Sequence, residues 1–213
     1  SSKLGGDVLA VLQKHDANVV LSRIEFVGPQ VGDELKSQGV FAVVISLIAV
    51  AFYLAFRFQF KFAIAAILSL LHDVIITVAC FSFFGWEFDL IVLAAVLAII
   101  GYSLNDTIVV FDRIRENIIN LRKTDMTEII NVSVSETMSR TVMTAVTMLI
   151  TLFVLLFTGG GTLWGFSMAM IIGVTFGTYS SIYVASSLLD VLKVTREDMI
   201  PDDTEQSEEY DTP

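Results

Sequence analysis

The sequence predicts an all-α polytopic membrane bundle, and three observations carry that prediction. Apolar residues make up 54% of the chain and charged ones 17%, with a mean hydropathy of +0.73. Soluble domains of this size are more polar, so the composition points to the membrane class. The apolar residues also gather into five runs of the length needed to cross about 30 Å of hydrocarbon. Finally, the runs lack the apolar–polar alternation of barrel strands, and in lipid a single span satisfies its own backbone only as a helix.

Residues 7–15 read as a short helix and residues 18–27 as a strand, with Ile24 and Phe26 alternating against Arg23 and Glu25. One helix and one strand cannot bury a core. Residues 1–36 are therefore expected to be the C-terminal remnant of a larger α+β extracytoplasmic domain, with an earlier span missing. Residues 1–16 show no apolar signal-peptide core. The five spans are placed at about 39–56, 62–84, 88–111, 141–158 and 164–192, within a transmembrane domain covering 37–196.

The connections differ in charge. Segment 57–61 carries Arg57 and Lys61, segment 112–140 carries Arg113, Arg115, Arg122, Lys123 and Arg140, and Lys193 and Arg196 follow the last span. The turns at 85–87 and 158–162 contain no Lys or Arg. Cationic connections favour the cytoplasmic side, so the N-terminal segment is expected outside and the C-terminal tail inside. Eight of the net −10 charges come from acids in the tail 197–213, which reads as a solvated, disordered terminus rather than an acidic surface.

The 112–140 connection is patterned. Ile114, Ile118, Ile119 and Leu121 alternate with polar neighbours, and Met126, Ile129, Ile130 and Val134 recur near helical spacing. This predicts one or two amphipathic helices lying on the cytoplasmic face, as cover for the bundle or as a docking surface. In the last span Ala169, Gly173, Gly177, Ser181 and Ala185 form a stripe of small residues, suited to tight packing or to sliding. The lone Cys80 excludes an internal disulfide and any Cys-based metal site.

Ionisable residues inside spans are costly and mark candidate function. They are His72 and Asp73 in the second span, Asp106 within Asn105-Asp106-Thr107 in the third, and Arg140 at the start of the fourth. Around Asp106 the helix stays polar from Gly101 through Ser103 to Thr107, and Ser103 and Thr107 are suited to bond carbonyls or water. Low dielectric penalises a carboxylate unless a cation or water stabilises it, and Arg140 enters from the same side. Two readings stay open: a carboxyl that switches between protonated and paired forms in an ion path, or a static pair joining two helices. A path of this kind has about 2.3 kcal/mol available per charge per 100 mV. Asp73 with His72 is either a second relay step or a bond to a neighbouring helix. There is no phosphate-binding loop, zinc pattern, nucleophile elbow or basic aromatic surface, so the residues suggest no enzyme, no cofactor, no metal and no nucleic-acid partner.

The run Gly101-Tyr102-Ser103-Leu104-Asn105-Asp106-Thr107, continuing to Asn117, resembles the SecD/SecF family of protein-export membrane subunits, in its SecF branch. Val27-Gly28-Pro29-Gln30-Val31-Gly32, Leu71-His72-Asp73, Ser139-Arg140-Thr141 and residues 159–165 fit as well. The resemblance covers about residues 20–196 and implies membership of the resistance-nodulation-division superfamily. It implies a bacterial cytoplasmic membrane protein of six spans, with an outer domain between the first two. Its partners would be SecD, the SecYEG channel, YajC, the bilayer and the translocating preprotein. The subunit would use the proton or sodium gradient to promote export, with Asp106 and Arg140 in the ion path. The acidic tail is not part of that pattern. A stand-alone small-molecule exporter of the superfamily, or a structural scaffold, are the alternatives; the lack of a broken span with paired half-helices weighs against the exporter.

Overall fold

In a computed structural model, residues 2–14, 20, 29–121 and 125–195 are described. The strand expected over 18–27 lies outside them except for Val20, as do Arg122, Lys123, Arg196 and the acidic tail. The chain divides into two units, Ser1–Val40 and Phe41–Pro213. The first contains α1 (Ser2–Gln13), which begins earlier than the sequence suggests, and the start of α2 (Pro29–Arg57). Pro29 opens α2 at the helical position where its missing N–H costs nothing.

The second unit holds the bundle: the remainder of α2, α3 (Phe60–Phe84), α4 (Leu90–Asn120), α5 (Met126–Thr158) and α6 (Gly160–Tyr179). A π-helical turn (Ser180–Val184) follows, and α7 (Ala185–Val191) closes the fifth span. Five helical stretches have the length and hydropathy to cross a membrane: Ser37–Arg57, Phe60–Phe84, Leu90–Asn120, Met126–Thr158 and Gly160–Val191. These are the five spans read from the sequence. Local chemistry sets several ends. Gly85 adopts the left-handed conformation at φ 65°, and its N–H reaches the carbonyls of Phe81 and Ser82. Asp89 caps α4 by accepting from the Val92 amide at 2.8 Å.

The amphipathic segment is where expectation and structure part. No separate helix lies along the surface over its described residues. Instead α4 runs on to Asn120 and α5 starts at Met126, so the pattern belongs to extensions of two spans. Ile114, Ile118, Ile129 and Ile130 are buried in one apolar cluster with Phe62 and Phe111. The apolar stripe of each extension continues the stripe of its own span, so burying it requires only that the helix keep going.

That cluster, which also includes Leu54, Phe58 and Leu189, sits at the end of the bundle bearing Arg57, Arg113 and Arg140. A second cluster of Phe81, Val92, Ile99, Leu152, Met170 and Val174 sits toward the glycine turns. There Trp86 packs edge-on to Trp164 and Phe81, the amphipathic aromatic belt that suits a membrane interface. Between the two clusters the helices present Asp73, Thr77, Ser103, Asp106, Thr107, Ser180 and Ser181, all buried. The small-residue stripe makes this close approach possible. A Cβ on Gly173 would lie 2.2 Å from Ile99, and one on Gly177 would lie 3.3 Å from Ser103 and 3.5 Å from an Asp73 carboxylate oxygen. At Gly173 and Gly177 the stripe lets α6 approach the side chains of Ile99 and Ser103 on α4 closely. By contrast, the membrane part of α2 is largely exposed, with Phe52, Phe56 and Ile48 outward and Leu54 inward.

Candidate functional site

The polar layer is organised by α4. Residues four apart on a helix share a face, and adjacent ones diverge by about 100°. Tyr102 and Asp106 thus share one face, and Ser103 and Thr107 another.

The face of Ser103 and Thr107 meets α3 and the π turn. Asp73 is only 1% exposed. Its Oδ2 accepts from Ser103 Oγ at 2.6 Å and from Ser180 Oγ at 2.8 Å, and its Oδ1 lies 3.0 Å from His72 Nδ1. Thr77 Oγ1 donates to the Asp73 carbonyl at 2.9 Å. One turn along, Thr107 Oγ1 and Ser181 Oγ are 2.9 Å apart, and Ser181 Oγ donates to the Ser103 carbonyl at 3.3 Å. Neighbouring residues of a regular helix point apart, yet Ser180 and Ser181 are both fully buried and both engaged. The wider π turn, a form frequent at functional sites, is where this happens. His72 does lie on a different helical face, 32% exposed, but its ring still reaches Asp73. No Lys or Arg is bonded to this carboxylate among the described residues.

The other face is open where this one is saturated. Asp106 is 2% exposed, its Oδ1 is 3.5 Å from the Asn105 amide, and its Oδ2 has no partner. Arg140, on α5, acts on Asp106 electrostatically rather than through a hydrogen bond. Tyr102 Oη and Thr141 Oγ1 are likewise buried and unpartnered. An unmet buried polar group costs about 1–3 kcal/mol. A buried carboxylate oxygen left without a partner is one that water or a small cation would satisfy. Of the residues singled out in the sequence, Asp73, Ser103, Asp106 and Thr107 are buried in the layer and His72 reaches it from its edge, whereas Asn105 and Arg140 are exposed, Arg140 lying with Arg113 and Glu136 at the basic end. Sequence reading missed Ser180 and the π turn. The available signal was a pair of consecutive serines inside an apolar span. It placed Ser181 in the packing stripe, where its hydroxyl also bonds.

At the basic end the charges pair. Arg57 bonds Asp112 at 3.1 Å, and Arg113 bonds both Glu136 at 2.6 Å and Glu116 at 2.7 Å. Asn117 donates to Glu136 at 2.7 Å and to Ser133 at 2.9 Å. No cluster of three or more His, Cys, Asp or Glu able to hold a metal occurs among the described residues.

Five helices long and apolar enough to cross a membrane, with a buried polar layer between them, define a multi-pass membrane protein. The chain belongs to the family described as protein export membrane protein SecD/SecF, C-terminal, which matches residues 7–195. It is 53% identical to the protein translocase subunit SecF of Pseudomonas aeruginosa, over 93% of this chain and 66% of that protein. It is 45% identical to the SecF of Vibrio alginolyticus, over 95% of this chain and 65% of that one. The chain therefore spans about two thirds of the length of the curated SecF relatives it matches. Among solved structures it resembles SecDF of Thermus thermophilus, described as a translocon-associated membrane protein, with TM-score 0.74 and 47% identity over 78% of this chain and 23% of that one. It also resembles SecDF in a super-membrane-facing form, with TM-score 0.75 and 36% identity over 98% of this chain and 27% of that one.

Proposed function

We propose that the protein to which this chain belongs is a SecF-type accessory subunit of the Sec preprotein translocase, using the proton or sodium gradient to promote export. The observation that carries the reading is the buried Asp106 carboxylate oxygen that has no partner, on a helix long and apolar enough to cross a membrane. A carboxyl in that setting binds and releases a small cation, and the membrane potential supplies about 2.3 kcal/mol per charge per 100 mV for the work. The subunit acts as an accessory component and not as an enzyme. SecD is its partner, a reading supported by the Thermus thermophilus relative, named subunit SecDF, which is 47% identical over 81% of this chain. SecYEG, YajC and the preprotein complete the assembly. The protein lies in the bacterial cytoplasmic membrane, with residues 1–36 as the end of an outer domain, 37–196 as the membrane domain and the acidic tail 197–213 in the cytoplasm. That orientation is supported by the clustering of Lys and Arg on the connections at one end.

Asp73 serves as a second group in the same layer, with Ser103, Thr107 and His72 as its supports. The decisive experiment measures preprotein export in cells carrying full-length protein with Asp106→Asn, alongside abundance by immunoblot. Export falls at normal abundance if Asp106 acts in the energised step. Normal export moves the scaffold reading to first place. The saturated bonding of Asp73 is the one feature that favours a scaffold, since a fully satisfied carboxylate holds three helices without needing to move.

A further inference from the structure

Between the extensions of α4 and α5 lies a cavity of about 500 Å³ lined by Asp112, Arg113, Glu116, Glu136, Thr137 and Arg140. It reaches Arg140, the cation that acts on Asp106, and opens among partly exposed acids, Glu136 at 40% and Glu116 at 56%. Its charges are unevenly committed. Asp112 is bonded to Arg57 on α2, while Arg113 alone holds one carboxylate from its own helix and one from α5. Asn117 adds a second donor to Glu136, on the same oxygen that Arg113 bonds. Arg140 has no hydrogen bond or ion pair among the described residues. Glu136 and Arg140 stand four apart on α5 and therefore share a face, so Glu136 is the carboxylate one turn from Arg140 that would become available if Arg113 let go.

We propose that this cavity is the mouth through which the ion handled at Asp106 exchanges with bulk water, with Glu136 as its outermost acceptor and Arg113 as the clamp that withholds it. The inference rests on the ion-path reading of Asp106. For a proton, the Asp106 carboxyl gives up its proton to water, the Glu136 carboxylate takes one from that water, and Glu136 returns it to bulk; only O–H bonds break and form. For sodium, no bond changes. A plain surface salt bridge between α4 and α5 would have the same geometry, and the two differ in what a charge exchange restores.

The test reconstitutes the full-length protein with its SecD partner in liposomes and follows ion influx under an imposed gradient, with a pH-sensitive dye for protons and a sodium-sensitive dye for sodium. Glu136→Gln is expected to slow influx several-fold at normal protein yield. Exchanging the pair, Arg113→Glu with Glu136→Arg, is expected to keep normal yield and leave influx slow. In a Cys80→Ser background, Thr137→Cys is expected to react with a membrane-impermeant thiol reagent supplied from the side of the basic connections. Wild-type influx in Glu136→Gln, influx restored by the exchange, or an unreactive Thr137→Cys each overturns the proposal. Asp106→Asn run in parallel separates the two readings: if it conducts normally the ion path itself is wrong, and if it alone is blocked only the role of Glu136 fails.

Discussion

Two carboxylates a few ångströms from the same helix have opposite surroundings. Asp73 has both oxygens engaged by hydroxyls and an imidazole, whereas one oxygen of Asp106 has nothing. The substitutions should therefore separate. Asp73→Ala leaves Ser103 and Ser180 without their acceptor inside the bundle, at about 1–3 kcal/mol for each unmet group. Its expected outcome is reduced abundance and a lower thermal midpoint in detergent. Asp106→Asn removes a charge whose only hydrogen bond among the described residues is a long one from the neighbouring Asn105 amide, so the thermal midpoint should stay within a few degrees while export and ion influx fall. Equal losses of stability in both variants would mean that both carboxylates are structural. That Asp106 is a costly buried charge was legible from the sequence, because it stands inside an apolar span. That Asp73 is bonded and Asp106 is not was not legible, because hydroxyl partners come from helices distant in sequence.

At the scale of the element, α6 shows how a pattern becomes a contact. The spacing of four from Ala169 to Ala185 says that one side of the helix is smooth, and the structure says what lies against it: Ile99 opposite Gly173, and Ser103 and Asp73 opposite Gly177. Gly173→Ala places a methyl where Ile99 already stands, and overpacking of this kind costs about 1–3 kcal/mol. Lower yield of folded protein is expected, with recovery in the double variant Gly173→Ala with Ile99→Ala; no recovery would mean that the stripe meets something other than Ile99. The extensions of α4 and α5 show the converse. Their periodicity was readable, but helices on the membrane surface and helices continuing the spans carry the same pattern. The choice between them is made by the isoleucines burying against α3 and each other.

For the whole molecule, orientation follows from the distribution of charge. With the glycine turns outside and the basic connections inside, Glu87→Cys in a Cys80→Ser background should be labelled by an impermeant thiol reagent added to intact spheroplasts. Thr127→Cys, beside the Asp190 carboxylate it bonds at 2.9 Å, should be labelled only after lysis. The reverse pattern would invert the assignment of inside and outside.

By itself the sequence determined the number of spans and the identity of the charged residues within them, because crossing hydrocarbon imposes a length and a composition that a chain displays locally. It also carried the family, through one long run on the third span. Tertiary structure decided the rest. It split the polar residues onto two faces of α4 and recruited Ser180 through a π turn. It also left one oxygen of Asp106 without a partner, and clamped Glu136 with Arg113 from another helix. Each of these depends on which groups from separate helices come within hydrogen-bond distance, and a linear pattern holds no record of that distance.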